Sequence, residues 1–175
     1  DGSKLDRKVV CLSAGTAAVH LALIACGVQA GDEVCVQSFT FCASSHPITY
    51  LGATPVFIDS ERDTWNMDPV ALEKAFKLYP DTKVVIVVNL YGTPAKLDEI
   101  KAICAKYGAT LIEDAAESLG ALYKGEQTGK FGKFNAISFN GNKMITTSGG
   151  GALICHSKEE ADRVKQRQGY QELPR

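Results

Sequence analysis

The stretch KVVIVV at residues 83–88 decides the fold, because it is a nearly uninterrupted run of β-branched residues. Such a run is typical of a parallel strand that is buried on both faces of its sheet. On either side of it, short β-rich runs alternate with stretches of helical periodicity. This alternation predicts an α/β fold with three layers, α/β/α, in which helices cover both faces of a mostly parallel sheet.

Local signals place the ends of several elements. Asp68 can cap a helix, and Pro69 suits the first position of that helix. Gly27 and Gly108 are candidates for helix ends, and Pro47 is expected to break or offset a helix. The predicted strands are 8–12, 33–36, 54–58, 83–88, 110–113, 135–139 and 152–155, and the predicted helices are 15–26, 40–51, 69–78, 94–107 and 158–168.

Composition narrows the class of protein. The chain has 175 residues, of which 45% are hydrophobic and 22% charged, and this suits one domain with a proper core. A formal net charge of -1 gives no electrostatic reason to expect a nucleic-acid partner or an anionic membrane. The apolar runs are too short to span a bilayer.

The six cysteines point away from metal and redox chemistry. No pair has the C-x-x-C spacing of zinc or thioredoxin-like sites, so we expect no metal site. Most cysteines have apolar neighbours, which predicts buried, reduced thiols. Reduced thiols favour a cytoplasmic location.

Ligand sites in open α/β sheets lie at the carboxyl ends of the strands, and three segments fall there. The first is SAGTA at residues 13–17, where a small, glycine-containing helix start exposes backbone N–H groups. Such a start favours an anion, which suggests phosphate binding. The alternative is an ordinary helix entry capped by Ser13 or Thr16.

The second segment is EDAAES at residues 113–118, directly after a predicted buried strand. Asp114 can provide a fixed negative charge inside a pocket, or it can simply cap a helix. The third segment is SFNGNK at residues 138–143, followed by TTSGGG. Lys143 has polar, uncharged neighbours in the sequence and can act as a nucleophile towards an aldehyde, or it can be a solvated surface lysine.

These three features together match what pyridoxal phosphate requires. Its phosphate needs N–H donors, its pyridine nitrogen needs an anion, and its aldehyde needs an amine for a Schiff base. At this point the sequence resembles the DegT/DnrJ/EryC1/StrS family of fold-type-I aminotransferases, which act on nucleotide-linked keto sugars. The matching segments are SAGTAAVHLAL at 13–23, GDEVCVQSFTFCAS at 31–44, LGATPVFID at 51–59, VVNLYG at 87–92, LIEDAAES at 111–118 and FGKFNAISFNGNKMITTSGGGAL at 131–153.

The resemblance implies a role for each matching position. Lys143 would bond covalently to the cofactor and move a proton during transfer, and Asp114 would pair with the pyridine nitrogen. The phosphate would be bound by Gly15, Thr16 and Ala17, with the Ser138 hydroxyl added.

Two further positions carry weaker implications. Phe41 falls where the family stacks an aromatic ring on the cofactor, although plain core packing is the alternative. Glu117 falls near the cofactor's phenolic oxygen, where the family often has Gln or His. A lysine rather than a histidine at 143 argues against the family's sugar dehydratases.

The resemblance also implies substrates and an assembly. The segment NGNKMITTSGGG is most similar to members that aminate UDP-linked 4-keto hexoses for surface polysaccharides. The amino donor would be glutamate, and the enzyme would be a homodimer with a shared active site.

Only part of the family's pattern is present. Residues 1–175 correspond to the large, cofactor-binding domain. The family's N-terminal segment and its small C-terminal domain are expected to be absent. The stretch GYQELPR at 169–175 lies where the link to the C-terminal domain would begin. This fragment is therefore expected to keep the cofactor site but to lack part of the substrate site.

Two alternatives to this function remain open, and a third lacks its motif. The chain could be another fold-type-I pyridoxal enzyme, such as a cysteine desulfurase-like protein or an amino-acid lyase, or a cofactor-binding module without turnover. A dinucleotide-binding domain would need G-x-G-x-x-G after the first strand, and SAGTAA lacks it.

Overall fold

The computed structural model describes residues 8–169, so the GYQELPR stretch lies outside it except for its first residue. The strands are β1 Lys8–Leu12, β2 Glu33–Gln37, β3 Thr54–Ile58, β4 Val84–Val88, β5 Thr110–Asp114, β6 Leu122–Tyr123, β7 Glu126–Gln127, β8 Phe134–Ser138 and β9 Gly151–Cys155. The helices are α1 Gly15–Ala25, α2 His46–Tyr50, α3 Pro69–Leu78, α4 Leu97–Tyr107 and α5 Lys158–Gly169, with short 3₁₀ turns at Cys42–Ser44 and Leu90–Gly92.

Seven strands form one sheet in the order β1-β9-β8-β5-β4-β2-β3. Strand β9 runs antiparallel to both of its neighbours, and the pairs from β8 to β3 are parallel. All five residues of β4 are buried, as expected for a β-branched run inside the sheet, between β5 and β2. The prediction of a mostly parallel sheet is confirmed.

The helices cover both faces of this sheet. Helices α1, α2 and α5 pack with one buried apolar cluster, and α3 and α4 pack with a second cluster on the opposite face. Because β4 contributes residues to both clusters, it joins the two halves of the core. The predicted three-layer α/β/α architecture is therefore confirmed.

Two predicted helices are shorter than expected. The helix predicted over 40–51 is replaced by the turn Cys42–Ser44 and by α2, in which Pro47 lies in the first turn. Proline is tolerated there because its missing N–H would have no partner inside the helix. Helix α4 begins at Leu97 rather than at residue 94, because Lys96 before it has a ψ of 66°, which is outside the helical range.

The hairpin of β6 and β7 was not predicted, because strands of two residues give no periodic pattern. The prediction that most cysteines are buried is only partly right. Cys35, Cys104 and Cys155 are buried, whereas Cys11 and Cys42 are exposed. Burial raises the pKa of the Cys35 thiol to about 11, which makes it a poor nucleophile.

Within residues 8–169, no helix is long and apolar enough to cross a membrane. In the same part of the chain, no group of three or more His, Cys, Asp or Glu side chains is arranged to hold a metal ion.

Candidate active site

A cavity of about 550 Å³ opens at the carboxyl end of the sheet, where β4, β5 and β8 end and α1 begins. It lies where the topology of a parallel sheet places ligand sites. Of the residues predicted for the site, Ala17 is not part of the lining, although it lies in the first turn of α1. The predicted residues that line the cavity are Gly15, Thr16, Phe41, Asp114, Glu117, Ser138 and Lys143.

The start of α1 forms one wall of the cavity and has no capping side chain. Its N-cap residue is Ala14, in an extended conformation, and no acidic residue occurs in the first turn. Neither Ser13 nor Thr16 caps the helix, and both side chains line the cavity instead. The first N–H groups of α1 therefore keep their capacity to bind an anion.

Gly15 allows this helix start to approach the end of β8 closely. A Cβ atom added at Gly15 would lie 2.8 Å from the Cβ of Ser138 and 3.2 Å from its Oγ. On the other side, a Cβ at Gly151 would collide with the backbone of Ala14. Glycine at these two positions brings the backbone donors of α1 and the hydroxyl of Ser138 to the same corner of the cavity.

Asp114 is the last residue of β5 and is only 5% exposed. Its Oδ2 accepts a 2.7 Å hydrogen bond from the Oγ of Ser44, and its Oδ1 accepts a 3.1 Å bond from the N–H of Ala116. Burial raises the pKa of the Asp114 carboxyl, against the opposing effect of these two hydrogen bonds and of the charge of Lys143. No helix follows Asp114, so it is not a helix cap.

Ser44 was not identified from the sequence. It lies in the turn Cys42–Ser44, and its Oγ is also 2.9 Å from the Oγ1 of Thr40. The Ser44 hydroxyl thus contacts the Asp114 carboxylate directly, and the Thr40 hydroxyl contacts Ser44. A Thr and a Ser four residues apart after a strand were the available signal, but their partner is 70 positions away in the chain.

Lys143 forms an ion pair with Glu117. The Nζ of Lys143 is 3.1 Å from the Oε1 of Glu117, and the lysine side chain is only 12% exposed. The sequence suggested uncharged surroundings for this lysine, but the fold brings in a carboxylate from 26 positions away. Lys143 is therefore not a solvated surface lysine.

Glu117 has a second contact that fixes its carboxylate. Its Oε2 accepts a 2.9 Å hydrogen bond from the backbone N–H of Tyr91. Tyr91 lies in the turn Leu90–Gly92 with a φ of 50°, a left-handed conformation that is unusual for a bulky residue. The carboxylate thus bridges a strained turn and the amine of Lys143.

Exposed aromatic side chains surround the mouth of the cavity. Phe41 is 69% exposed, so core packing does not explain it. Phe39 and Tyr91 also line the cavity and are largely exposed, and together these three residues are called the aromatic rim. Phe39 and Tyr91 were not identified from the sequence, because an aromatic residue beside a buried strand ordinarily belongs to the core.

The site thus combines anion-binding backbone donors, a buried carboxylate and a largely buried amine around one cavity. Groups of this kind can bind a phosphate, hold a proton on a basic nitrogen and bond to a carbonyl carbon.

Comparison with known proteins agrees with this geometry. The model of the DegT/DnrJ/EryC1/StrS aminotransferase family matches residues 4–171. The chain is 55% identical, over 163 residues, to the "Putative pyridoxal phosphate-dependent aminotransferase EpsN" of Bacillus subtilis (strain 168). It is 43% identical, over 152 residues, to the GDP-perosamine synthase of Escherichia coli O157:H7.

Solved structures show the same fold. The crystal structure of S. venezuelae DesV superimposes with a TM-score of 0.87 and 34% identity, over 95% of this chain and 45% of that one. The two relatives named above are matched over 91% and 87% of this chain but over only 42% and 41% of their own lengths. The chain therefore spans less than half the length of the proteins that it matches.

Proposed function

This chain belongs to the DegT/DnrJ/EryC1/StrS aminotransferase family, and from that premise we propose that it forms the cofactor-binding part of a pyridoxal phosphate-dependent sugar aminotransferase. One observation carries the proposal. Lys143, Asp114 and the uncapped start of α1 line the same cavity, although they lie far apart in the sequence. Residues 1–175 would then make up the large domain of that enzyme.

The residues present fit pyridoxal phosphate. A side chain at position 15 would be within 2.8 Å of Ser138, so the corner between them is kept free by glycine. The N–H groups of Gly15, Thr16 and Ala17 and the hydroxyl of Ser138 would bind the phosphate there. No acidic residue in the first turn of α1 opposes that charge.

The remaining residues would hold the rest of the cofactor. The buried carboxylate of Asp114 would keep a proton on the pyridine nitrogen, and Ser44 would hold that carboxylate in place. Phe41 would lie against the face of the ring, and Glu117 near its phenolic oxygen. When bound, pyridoxal phosphate supplies an electron sink for the carbon that loses or gains the amino group.

Lys143 would have two tasks in this site. Its Nζ would hold the cofactor covalently at the aldehyde carbon, whose oxygen would leave as water. After the amino group of the substrate has displaced it, the same Nζ would move a proton on and off the reacting carbon. Both tasks require an amine that is held in one place, and the Glu117 contact at 3.1 Å supplies that restraint.

The substrate would be a nucleotide-linked keto sugar. The relatives named GDP-perosamine synthase and UDP-2-acetamido-2-deoxy-3-oxo-D-glucuronate aminotransferase support a sugar nucleotide as the class. We propose a UDP-linked 4-keto hexose as acceptor, glutamate as donor, and a cytoplasmic role in surface-polysaccharide synthesis. The exposed aromatic rim supports a homodimer in which a second subunit covers the mouth of the cavity.

Cofactor binding tests the proposal directly. The purified chain is mixed with pyridoxal phosphate, reduced with borohydride and digested, and the modified lysine is identified by mass spectrometry. We expect a visible absorbance band and modification of Lys143, and we expect Lys143→Ala to abolish both. The exposed Lys101 provides a matched control, since Lys101→Ala should change neither. Modification spread evenly over surface lysines would refute the proposal.

The substrate is tested by half-reactions of the loaded chain. Glutamate should shift the absorbance band, and a UDP-linked 4-keto hexose should restore it more efficiently than a GDP-linked one. If only the GDP-linked sugar restores the absorbance band, the substrate carries GDP and the proposal of UDP is wrong. Cofactor binding without any response to glutamate would favour a binding module without turnover.

A further inference from the structure

A cluster of buried polar side chains lies beneath the cavity and takes no part in the proposed chemistry. Asn66, Asn89 and Glu113 are each fully buried, and Ser118 is 1% exposed. Burying polar groups is unfavourable unless every one of them finds a partner. These side chains do find partners, and one of them is the N–H of Leu90, in a turn that lines the cavity.

Glu113 is the anchor of this buried polar cluster. Its Oε1 accepts 2.8 Å hydrogen bonds from the Nδ2 of Asn89 and from the N–H of Gly129, and its Oε2 accepts a 2.8 Å bond from the N–H of Phe131. Both carboxylate oxygens are therefore satisfied. Since Glu113 directly precedes Asp114 on β5, the cluster is attached to the strand that carries the buried carboxylate of the site.

Asn89 connects this anchor to the turn Leu90–Gly92. Besides Glu113, its Nδ2 contacts the Oγ of Ser118 at 3.2 Å, and its Oδ1 accepts a 3.0 Å bond from the N–H of Ala95. The turn follows Asn89 directly in the sequence. By binding Ala95, the Asn89 side chain also holds the backbone that comes after the turn.

Asn66 holds the same turn at both of its ends. Its Oδ1 accepts a 2.9 Å hydrogen bond from the N–H of Leu90, and its Nδ2 donates a 2.8 Å bond to the carbonyl of Thr93. The left-handed conformation of Tyr91 between these points is unfavourable and persists only where the surroundings impose it. Here the hydrogen bonds of the buried polar cluster impose this conformation on Tyr91.

The turn transmits this restraint to the lysine. The N–H of Tyr91 donates to Glu117 at 2.9 Å, and Glu117 contacts the Nζ of Lys143 at 3.1 Å. We propose that Asn89 and Glu113 are positioning residues for Lys143, which act through the Tyr91 N–H and the Glu117 carboxylate. The importance of this placement rests on the proposed function, in which Lys143 holds the cofactor.

The inference is tested on the cofactor-free chain by competitive acetylation of lysine amines. The reaction rate of Lys143 is measured by mass spectrometry relative to that of the exposed Lys101. Loosening Glu117 should free the amine, so Asn89→Ala is expected to raise the Lys143 to Lys101 ratio about two- to fivefold, the range for loss of one ion pair. Glu113→Gln, which has nearly the same shape, should raise it as well.

Asn135→Ala is the matched control. Asn135 is also fully buried and hydrogen-bonded, with its Oδ1 accepting a 2.8 Å bond from the N–H of Gly132. It lies beside Glu113 in the sheet, but its side-chain hydrogen bonds go to Gly132 and Ile154, not to the turn or to Glu117. Urea unfolding identifies conditions in which each variant is folded. An unchanged ratio in Asn135→Ala, with raised ratios in the other two variants, would support the inference.

The inference would be overturned if the Lys143 to Lys101 ratio rises no more in Asn89→Ala and Glu113→Gln than it does in Asn135→Ala. If Asn89→Ala does not fold, Glu113→Gln decides the same question. Because labelling needs no cofactor, failure of this inference is distinguishable from failure of pyridoxal phosphate to bind at Lys143.

Discussion

Helices α1 and α3 begin in opposite ways. At α3, Asp68 caps the helix by accepting a 2.8 Å hydrogen bond from the N–H of Val70, and Pro69 occupies the first position. At α1, the N-cap is Ala14 and no side chain accepts from the first turn. A capped start stabilises its own helix, whereas an uncapped start beside a cavity leaves its donors for a ligand.

The two aspartates near these starts differ in the same way. Asp68 is paired with the first turn of its own helix. Asp114 is buried, and burial raises the pKa of its carboxyl, so its charged form is unfavourable in the cofactor-free protein. The capped region is therefore arranged for stability, and the cavity region retains groups that reduce stability until a ligand occupies them.

Asp114→Asn is expected to have the largest effect, because it removes the buried charge that distinguishes the cavity region from the capped start of α3. Loss of the negative charge should slow the glutamate half-reaction of the loaded chain about a hundredfold, as for other electrostatic groups of active sites. The cofactor-free variant should be more stable than the wild type at neutral pH. Folding raises the pKa of the Asp114 carboxyl above its ordinary value of 3.8, so the free energy of unfolding of the wild type falls as the pH rises above that value. Asp114→Asn has no carboxyl at this position and does not lose this stability.

Urea unfolding between pH 3 and pH 8 measures the difference. A gain that grows with pH is expected, since the two proteins carry the same charge at this position in acid. A variant that is equally destabilised at every pH would show that the carboxylate is structural.

Gly15→Ala should have the next largest effect. The added Cβ would lie 2.8 Å from the Cβ of Ser138, which forces α1 and β8 apart. We expect a loss of about 1–3 kcal/mol in stability, as for overpacked cores, and a large loss of cofactor affinity. Gly141→Ala is the control, because a Cβ there would lie 3.9 Å from the Ser148 carbonyl oxygen, an ordinary van der Waals distance. Equal effects of the two substitutions would argue against the close approach at Gly15.

Asp68→Ala should lower the free energy of unfolding by about 1 kcal/mol, because the first turn of α3 loses its cap. Urea unfolding measures this loss, and cofactor titration should show unchanged affinity. Asp68→Asn keeps the capping oxygen and should retain nearly all of the stability. A change of cofactor affinity in Asp68→Ala would mean that the two helix starts are not independent.

Ala14→Asp, which makes the start of α1 resemble that of α3, should have the smallest effect on stability. A gain of about 0.5–1 kcal/mol is expected from capping, together with weaker cofactor binding, because the new carboxylate would compete for the same donors. Ala14→Ser caps without adding charge and separates the two causes. Tighter cofactor binding in Ala14→Asp would contradict the proposed phosphate site.

Local features were predictable from the sequence wherever the signal and its partner are neighbours. Asp68 with Pro69 located the start of α3, and the β-branched run located β4, because both depend on adjacent residues. The cap of α1 was not predictable, since Ser13 and Thr16 are good capping residues and only the packed structure shows that neither caps.

Contacts between distant segments were beyond the sequence. The pair of Glu117 and Lys143 depends on how two loops meet above the sheet. The cluster around Asn89 and Glu113 consists of polar residues next to apolar runs, which look solvent-exposed until the fold buries them. Sequence patterns identify elements and candidate groups, whereas the partner of each group is fixed by topology.

The antiparallel pairing of β1 with β9 has a consequence for how the chain folds. Leu12 lies opposite Gly151, so an edge strand near one end of the described chain pairs with a strand near the other end. Such pairing closes a very long loop, which slows folding in proteins rich in distant contacts. Because the start of α1 follows β1 and packs on Gly151, the corner between Gly15 and Ser138, where phosphate binding is proposed, is expected to assemble only after β9 has emerged from the ribosome. During synthesis, the proposed cofactor site would therefore be one of the last parts of this domain to form.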